Sequence, residues 1–199
     1  MTPPTGLRER KKERTRAEIV DVATRLFLAR GFDEVTVDEI AAEAEISHRT
    51  FYRYFSCKED LVLHDIRDAL DDLRRAFGSR PSTEPVIESI RAVILELAAT
   101  FQHDADLDRQ LVGLLLASPA LQHRKQEHHV AFETALVPLI AERLSADPAT
   151  DMRPALIAAC AGAASRVATD TWIAQGMAGP LGPTVDEAFS LLTTGLTSP

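Results

Sequence analysis

A chain of 199 residues, 45% of them hydrophobic and 26% charged, is long enough for one medium domain or for a small domain joined to a larger one, and it can bury a sizeable core. No apolar run has the length of a membrane span, Met1 to Lys12 lacks the apolar stretch of an export signal, and the two cysteines, Cys57 and Cys160, fall in different expected domains; these features point to a reducing cytoplasm. The net charge of −8 argues against nucleic acid as a partner only if charge is spread evenly, and it is not.

The first 60 residues carry 11 basic and 12 acidic side chains, so nearly all the acidic excess lies further on. Between Arg8 and Arg16 six basic residues (Arg8, Arg10, Lys11, Lys12, Arg14 and Arg16) face only Glu9 and Glu13. Phosphate responds to the local field within a Debye length of about 10 Å, so an acidic body with a basic tip can still bind DNA. Read alone, the same run is more often a solvated tail than a DNA arm.

From Arg14 to Arg30, Ile19, Val20, Ala23, Leu26 and Phe27 recur at helical spacing, and Gly31 supplies a left-handed cap. Thr36 with Glu39 is a capping box opening a short helix to Ala44, and Ser47 caps a second short helix, His48 to Tyr54. Ser56 with Glu59 suggests another capping box, starting a longer helix toward Phe77. After the break at Gly78 to Ser82, helices are expected at Val86 to about His103 and at Leu107 to Ala117. Ser118-Pro119 then opens a helix to about Leu144 that Pro138 should kink. An Ala-rich helix ends near Gln175-Gly176, and Thr184 with Glu187 reads as a capping box for the last helix, through about Leu196. The expectation is all-α with about nine helices: an N-terminal domain over 1–57 and a larger domain over 58–199.

Thr36 to Tyr54 has the layout of a helix-turn-helix, with Glu45-Ile46-Ser47 as the turn. Ile40, Ala41, Ile46 and Phe51 fall inward, which leaves His48, Arg49, Thr50, Tyr52, Arg53 and Tyr54 outward or sideways. Such a helix fits the major groove of B-DNA. Arg49 and Arg53 suit guanine or phosphate, Tyr52 a thymine methyl or phosphate, and Thr50 a phosphate. An aromatic-rich short helix is more often core than DNA surface. Phe51 and Phe55 are core on either view, whereas Tyr52 and Tyr54 lie off that face beside two arginines.

Residues 14–63 resemble the DNA-binding domain of the TetR family of bacterial regulators. The resemblance rests on Ala29-Arg30-Gly31-Phe32, Thr36-Val37, Ile40-Ala41 and above all Thr50 to Lys58. It implies phosphate contacts from Thr36, Thr50, Tyr54 and Lys58, with His48, Arg49 and Tyr52 nearest the bases. It also implies a basic segment before the first helix, here Arg10, Lys11, Lys12 and Arg14. The family usually has glycine where this chain has Glu45, and a non-glycine residue at positive φ costs on the order of 1 kcal/mol.

Residues 84–199 contain no phosphate loop, nucleophile elbow or zinc-binding cysteine pair, so neither an enzyme nor a cofactor is expected. His123, Glu127, His128 and His129 raise a metal site, but a solvated face accounts for them better, because His128 and His129 point about 100° apart on a helix. The cluster Asp104, Asp106 and Asp108 lacks the glycine and distal glutamate of a calcium loop.

The family resemblance further implies a homodimer joined through the last two helices, at Ala158 to Val167 and Ala188 to Leu196. It also implies a cavity for a small effector, with Phe101, Leu111, Leu115, Phe132, Leu136 and Trp172 as candidate lining. Residues 84–98, 114–124 and 139–148 look like a subgroup with acyl-CoA-like ligands that includes mycofactocin-associated regulators. Arg91, Arg109 or Arg166 would then meet the ligand's phosphate or carbonyl. The expected function is a palindrome-binding regulator, in the usual case a repressor, released by that effector. The alternative is a helix-turn-helix regulator controlled by a protein partner.

Overall fold

A computed structural model describes residues 7–63, 66–99 and 105–195. Among the described residues there are ten helices and no strand: α1 (Leu7–Arg30), α2 (Val37–Glu43), α3 (His48–Tyr54), α4 (Asp60–Leu63), α5 (Ile66–Ser79), α6 (Val86–Ala99), α7 (Ala105–Ala117), α8 (Pro119–Leu144), α9 (Arg153–Ala174) and α10 (Gly182–Thr194). The all-α expectation holds. The tenth element comes from the stretch read as one helix from Ser56 toward Phe77, described as α4 and α5.

The chain forms two compact units. The first comprises residues 1–65 together with 113–124, and the second comprises 66–112 and 125–199. In the first unit, Ile19, Ala23 and Phe27 stand at i, i+4 and i+8 on α1 and form one buried stripe. They pack in one core with Phe32, Val35, Ile40, Phe51, Phe55, Leu61, Leu115 and Leu121. The boundary expected after residue 57 falls inside this unit, since Asp60 and Leu61 beyond it are buried. Asp60 is held by Arg124 at 2.9 Å, and it accepts the Ser56 N–H at 3.2 Å. Ser56 therefore bonds to Asp60, one residue later than the expected Glu59.

The second unit packs α9 against α10 and both against α6. Its core includes Leu73, Phe77, Ile90, Val93, Leu136, Ile140, Ala158, Ala161, Trp172, Val185 and Phe189. Arg143 ties α8 to the end of α5, donating to the Phe77 carbonyl at 3.2 Å with its guanidinium over the Phe77 ring.

Two helix starts, those of α1 and α10, depart from expectation, and that of α8 holds. α1 begins at Leu7 rather than Arg14, because the basic run contains no helix breaker and consists of good helix formers. α8 does begin at Pro119, with the Ser118 hydroxyl accepting from Leu121 N–H at 3.4 Å, and it continues through Pro138 as one helix. α10 begins at Gly182 with Pro183 in its first turn, so Thr184 lies inside the helix rather than at its cap.

Candidate nucleic-acid interface

The caps set the reading segment. The Thr36 hydroxyl accepts from Glu39 N–H at 3.3 Å, and the Glu39 carboxylate accepts the Thr36 N–H at 2.8 Å. This reciprocal box starts α2; a cap of this kind contributes about 1 kcal/mol. Arg30 reaches the same carboxylate at 2.8 Å. The Thr36 hydrogen bonds and Arg30 together hold the Glu39 pKa well below its ordinary 4.5, at about 2.

At the other end of α2, Ile46 N–H donates to the Ala41 carbonyl at 2.9 Å and Glu45 N–H to the Ala42 carbonyl at 3.1 Å. With Ala44 as the C-cap, these two bonds make a Schellman turn, and its left-handed position falls on Glu45 at φ 53°. The turn therefore needs the positive φ that glycine adopts without strain. Ile46 folds back onto the core, and Ser47 caps α3 by accepting from Thr50 N–H at 3.1 Å.

Phe51 and Phe55 anchor α3 from beneath, both fully buried, with ring centroids 5.6 Å apart. The opposite face is open. Arg49, Tyr52 and Arg53 are exposed and, with Thr50, line a shallow concavity. Tyr52 is 48% exposed, held edge-on by His48 at 4.8 Å and by Phe51 at 5.3 Å. A large aromatic ring kept outward by its neighbours is preorganised to stack or to meet a methyl group. His48 Nε2 lies 3.6 Å from Asp38 Oδ1.

The residues expected around this helix divide into two sets. His48, Arg49, Thr50, Tyr52 and Arg53 share the exposed side of α3. Thr36 and Thr50 already use their hydroxyls, on Glu39 and on Ser47 Oγ at 2.9 Å. Tyr54 is half-buried beneath Arg53, whose guanidinium lies 5.2 Å from its ring. Lys58 is turned inward, donating to the Phe32 and Val35 carbonyls at 2.8 Å each. One of the three ammonium protons then remains for any other acceptor. Lys11, Lys12 and Arg14 belong to α1 rather than to a segment before it, and Arg14 pairs with Glu18 at 2.8 Å. Sequence reasoning missed Lys58's structural task, because it depends on carbonyls 23 and 26 residues away.

Of the effector-lining candidates, Phe132, Leu136 and Trp172 come together in the second core, where the Trp172 indole donates to the Gly179 carbonyl at 3.0 Å. Leu115 does not join them: it packs in the first unit, since residues 113–124 belong there. Leu111 is half-buried, and Phe101 lies outside the described residues. Arg91 is occupied by Asp186 at 2.6 Å and Arg109 by Asp106 at 2.6 Å, which leaves Arg166 as the cation to consider. The solvated-face reading of the histidines fails for His128 and His129, which are half-buried, although His123 and Glu127 are exposed. Among the described residues, no group of three or more His, Cys, Asp or Glu could hold a metal ion.

Residues 19–64 match the family of bacterial regulatory proteins named tetR, and residues 84–197 match the MftR C-terminal domain. The regulator TcmR of Streptomyces glaucescens is 30% identical over 84% of this chain and 76% of its own length. A candidate mycofactocin biosynthesis regulator of Mycobacterium tuberculosis, MftR, is 28% identical over 75% of each chain. Among solved structures, the fatty acid degradation regulator FadR of Bacillus halodurans superposes with a TM-score of 0.61 at 18% identity, over 99% of this chain and 100% of its own.

Proposed function

Because the chain belongs to the TetR family of bacterial regulatory proteins, and is thus a DNA-binding transcriptional regulator rather than an enzyme, we propose that it is a homodimeric repressor released by a small effector. The observation that carries this reading is the outer face of α3. Arg49, Tyr52 and Arg53 stand exposed above a helix anchored by the buried Phe51 and Phe55. Two positively charged forks and an outward aromatic suit the major groove, while the core below fixes their angle.

Dimerisation is supported by the apolar surface of the last two helices. Leu156 (58% exposed) and Val167 (51%) lie on one face of α9, three turns apart, and Leu191 on α10 is 46% exposed. Ala158, Ala161 and Gly162, expected in that contact, are instead buried in their own unit, so the partner-facing set is the larger, exposed residues. Two recognition helices about 34 Å apart read one palindrome, whereas a single small reader binds weakly.

The resemblance of residues 84–98, 114–124 and 139–148 to a subgroup with acyl-CoA-like ligands supports an effector of acyl-thioester type, its apolar tail near Phe132 and its release acting by population shift. The segment from Lys58 to Phe77 would carry that shift to the reading helix. Fluorescence anisotropy on the DNA upstream of the protein's own gene, repeated with acyl-CoAs of several chain lengths, tests the whole reading. Tight binding lost with one chain-length class is the expected result. Binding indifferent to every acyl-CoA removes that effector class, and binding no tighter than to random DNA contradicts an operator there.

A further inference from the structure

Lys125, His129 and Glu133 follow one another at one-turn intervals on α8, and Gly162, Arg166 and Asp170 do the same on α9. Two contacts fix the antiparallel register of these rows. Lys125 Nζ donates to Asp170 Oδ1 at 2.7 Å at one end. At the other, Glu133 lies against Gly162, where an added Cβ would meet its Cγ at 2.4 Å. His129 and Arg166 therefore form the middle rung.

This rung is short of partners. His129 Nε2 is shielded from solvent and has no hydrogen bond. Half-buried Glu133 and Arg166 make no hydrogen bond or ion pair among the described residues. Burial holds the His129 pKa below its ordinary value, with Lys125 adding to the effect and Asp170 opposing it. Glycine at 162 weakens the helix relative to alanine, and what it permits is the Glu133 side chain in this position. A buried polar atom left without a partner is costly, and the shielded His129 Nε2, with unpaired Arg166 on its own rung and unpaired Glu133 on the next, is accounted for by a ligand that supplies the missing partners.

The composition of the rung limits the ligand. A carboxylate would meet Glu133 as a like charge, and an ammonium would meet Arg166. An uncharged group with one donor and one acceptor satisfies both. We propose that His129, Glu133 and Arg166 bind a secondary amide of the effector, Glu133 accepting its N–H and Arg166 donating to its carbonyl, with His129 Nε2 completing the set. The proposal rests on the effector reading above and sharpens it: the pantetheine arm of an acyl thioester carries such amides, and half-buried Phe132 adjoins Glu133.

The test is calorimetric titration of the full-length protein with S-octanoyl-N-acetylcysteamine, a thioester with one secondary amide, and with methyl octanoate, which has the same tail and no N–H. The amide probe is expected to bind about ten-fold tighter or better, as charge-assisted hydrogen bonds imply, and Glu133→Met and Arg166→Met should each remove most of that preference. Without ligand, both variants are expected to melt at or above the wild-type temperature, because each replaces an unpartnered polar group with an apolar one of similar length. The proposal is overturned if neither probe binds, if the two bind equally, if both variants keep the preference, or if both melt well below wild type. Anisotropy on operator DNA separates this from the effector reading: amide-selective binding that releases no DNA keeps the site and sinks the effector role.

Discussion

Glu45 occupies the left-handed position of the turn between α2 and α3, where a Cβ is strained. Glu45→Gly should stabilise the first unit by about 1 kcal/mol, and a shift of about 2–4 °C in its thermal melt would show it. It also removes a negative charge near the proposed DNA surface, so affinity should rise as well; a melt that falls would mean that the turn gains from Glu45 more than the strain costs. Glu39 gives a second test at this scale. Its pKa is depressed to about 2 from an ordinary 4.5, so the stability it contributes is present above about pH 4.5 and is lost as pH falls toward 2. Acid unfolding of the first unit should therefore be steeper between those values in the wild type than in Glu39→Gln, as followed by circular dichroism. Much at this scale was legible in the sequence. Thr36 and Ser47 cap helices as expected because a hydroxyl at the N-cap acts on its own first turn. The inward use of Lys58 was not, since it depends on distant carbonyls.

Helices were legible where apolar spacing and local caps agreed, as for α2, α3 and α8. Boundaries shifted where a nearby residue competed: Asp60 took the Ser56 N–H, and Pro183 brought the start of α10 forward. The start of α1 was invisible because a run of charged helix formers carries no periodic apolar signal. The grouping of residues 113–124 with the first unit is also a tertiary fact, fastened by the Asp60–Arg124 pair and by Ser118 donating to Asp33 at 2.8 Å. The Asp60 side chain has no exposure and Arg124 only 23%, so removing the cation leaves a buried carboxylate without its charge partner, and neutral donors such as the Ser56 N–H are weak substitutes. Arg124→Leu should cost about 3 kcal/mol in urea unfolding, and Asp60→Leu combined with it should recover most of the loss. Equal losses in the single and double variants would mean that the pair does not act as a unit.

On the scale of the whole chain, the charge distribution outweighed the total: a net −8 did not prevent a DNA-reading segment, because the acidic excess lies beyond it. Family membership was legible because the turn and the run from Thr50 to Lys58 impose a fixed local geometry. The proposed effector surface was far less so, because apolar residues such as Leu136 and Trp172 read alike whether they fill a core or line a cavity. The proposed dimer depends on exposed apolar side chains of α9 and α10, so Leu156→Asp with Val167→Asp should shift sedimentation toward the monomer and weaken operator binding, while the circular dichroism spectrum stays unchanged.

The central claim is that the exposed face of α3 reads DNA, and the salt dependence of binding to one operator fragment tests it most directly. Wild type should lose affinity steeply and log-linearly as salt rises. Arg49→Ala and Arg53→Ala should each cost about 1–3 kcal/mol on the operator if they read bases, or lower the salt slope by about 1 if they meet phosphate. Variants that match wild type in both affinity and slope would contradict the account, because DNA would then be held by a surface other than α3.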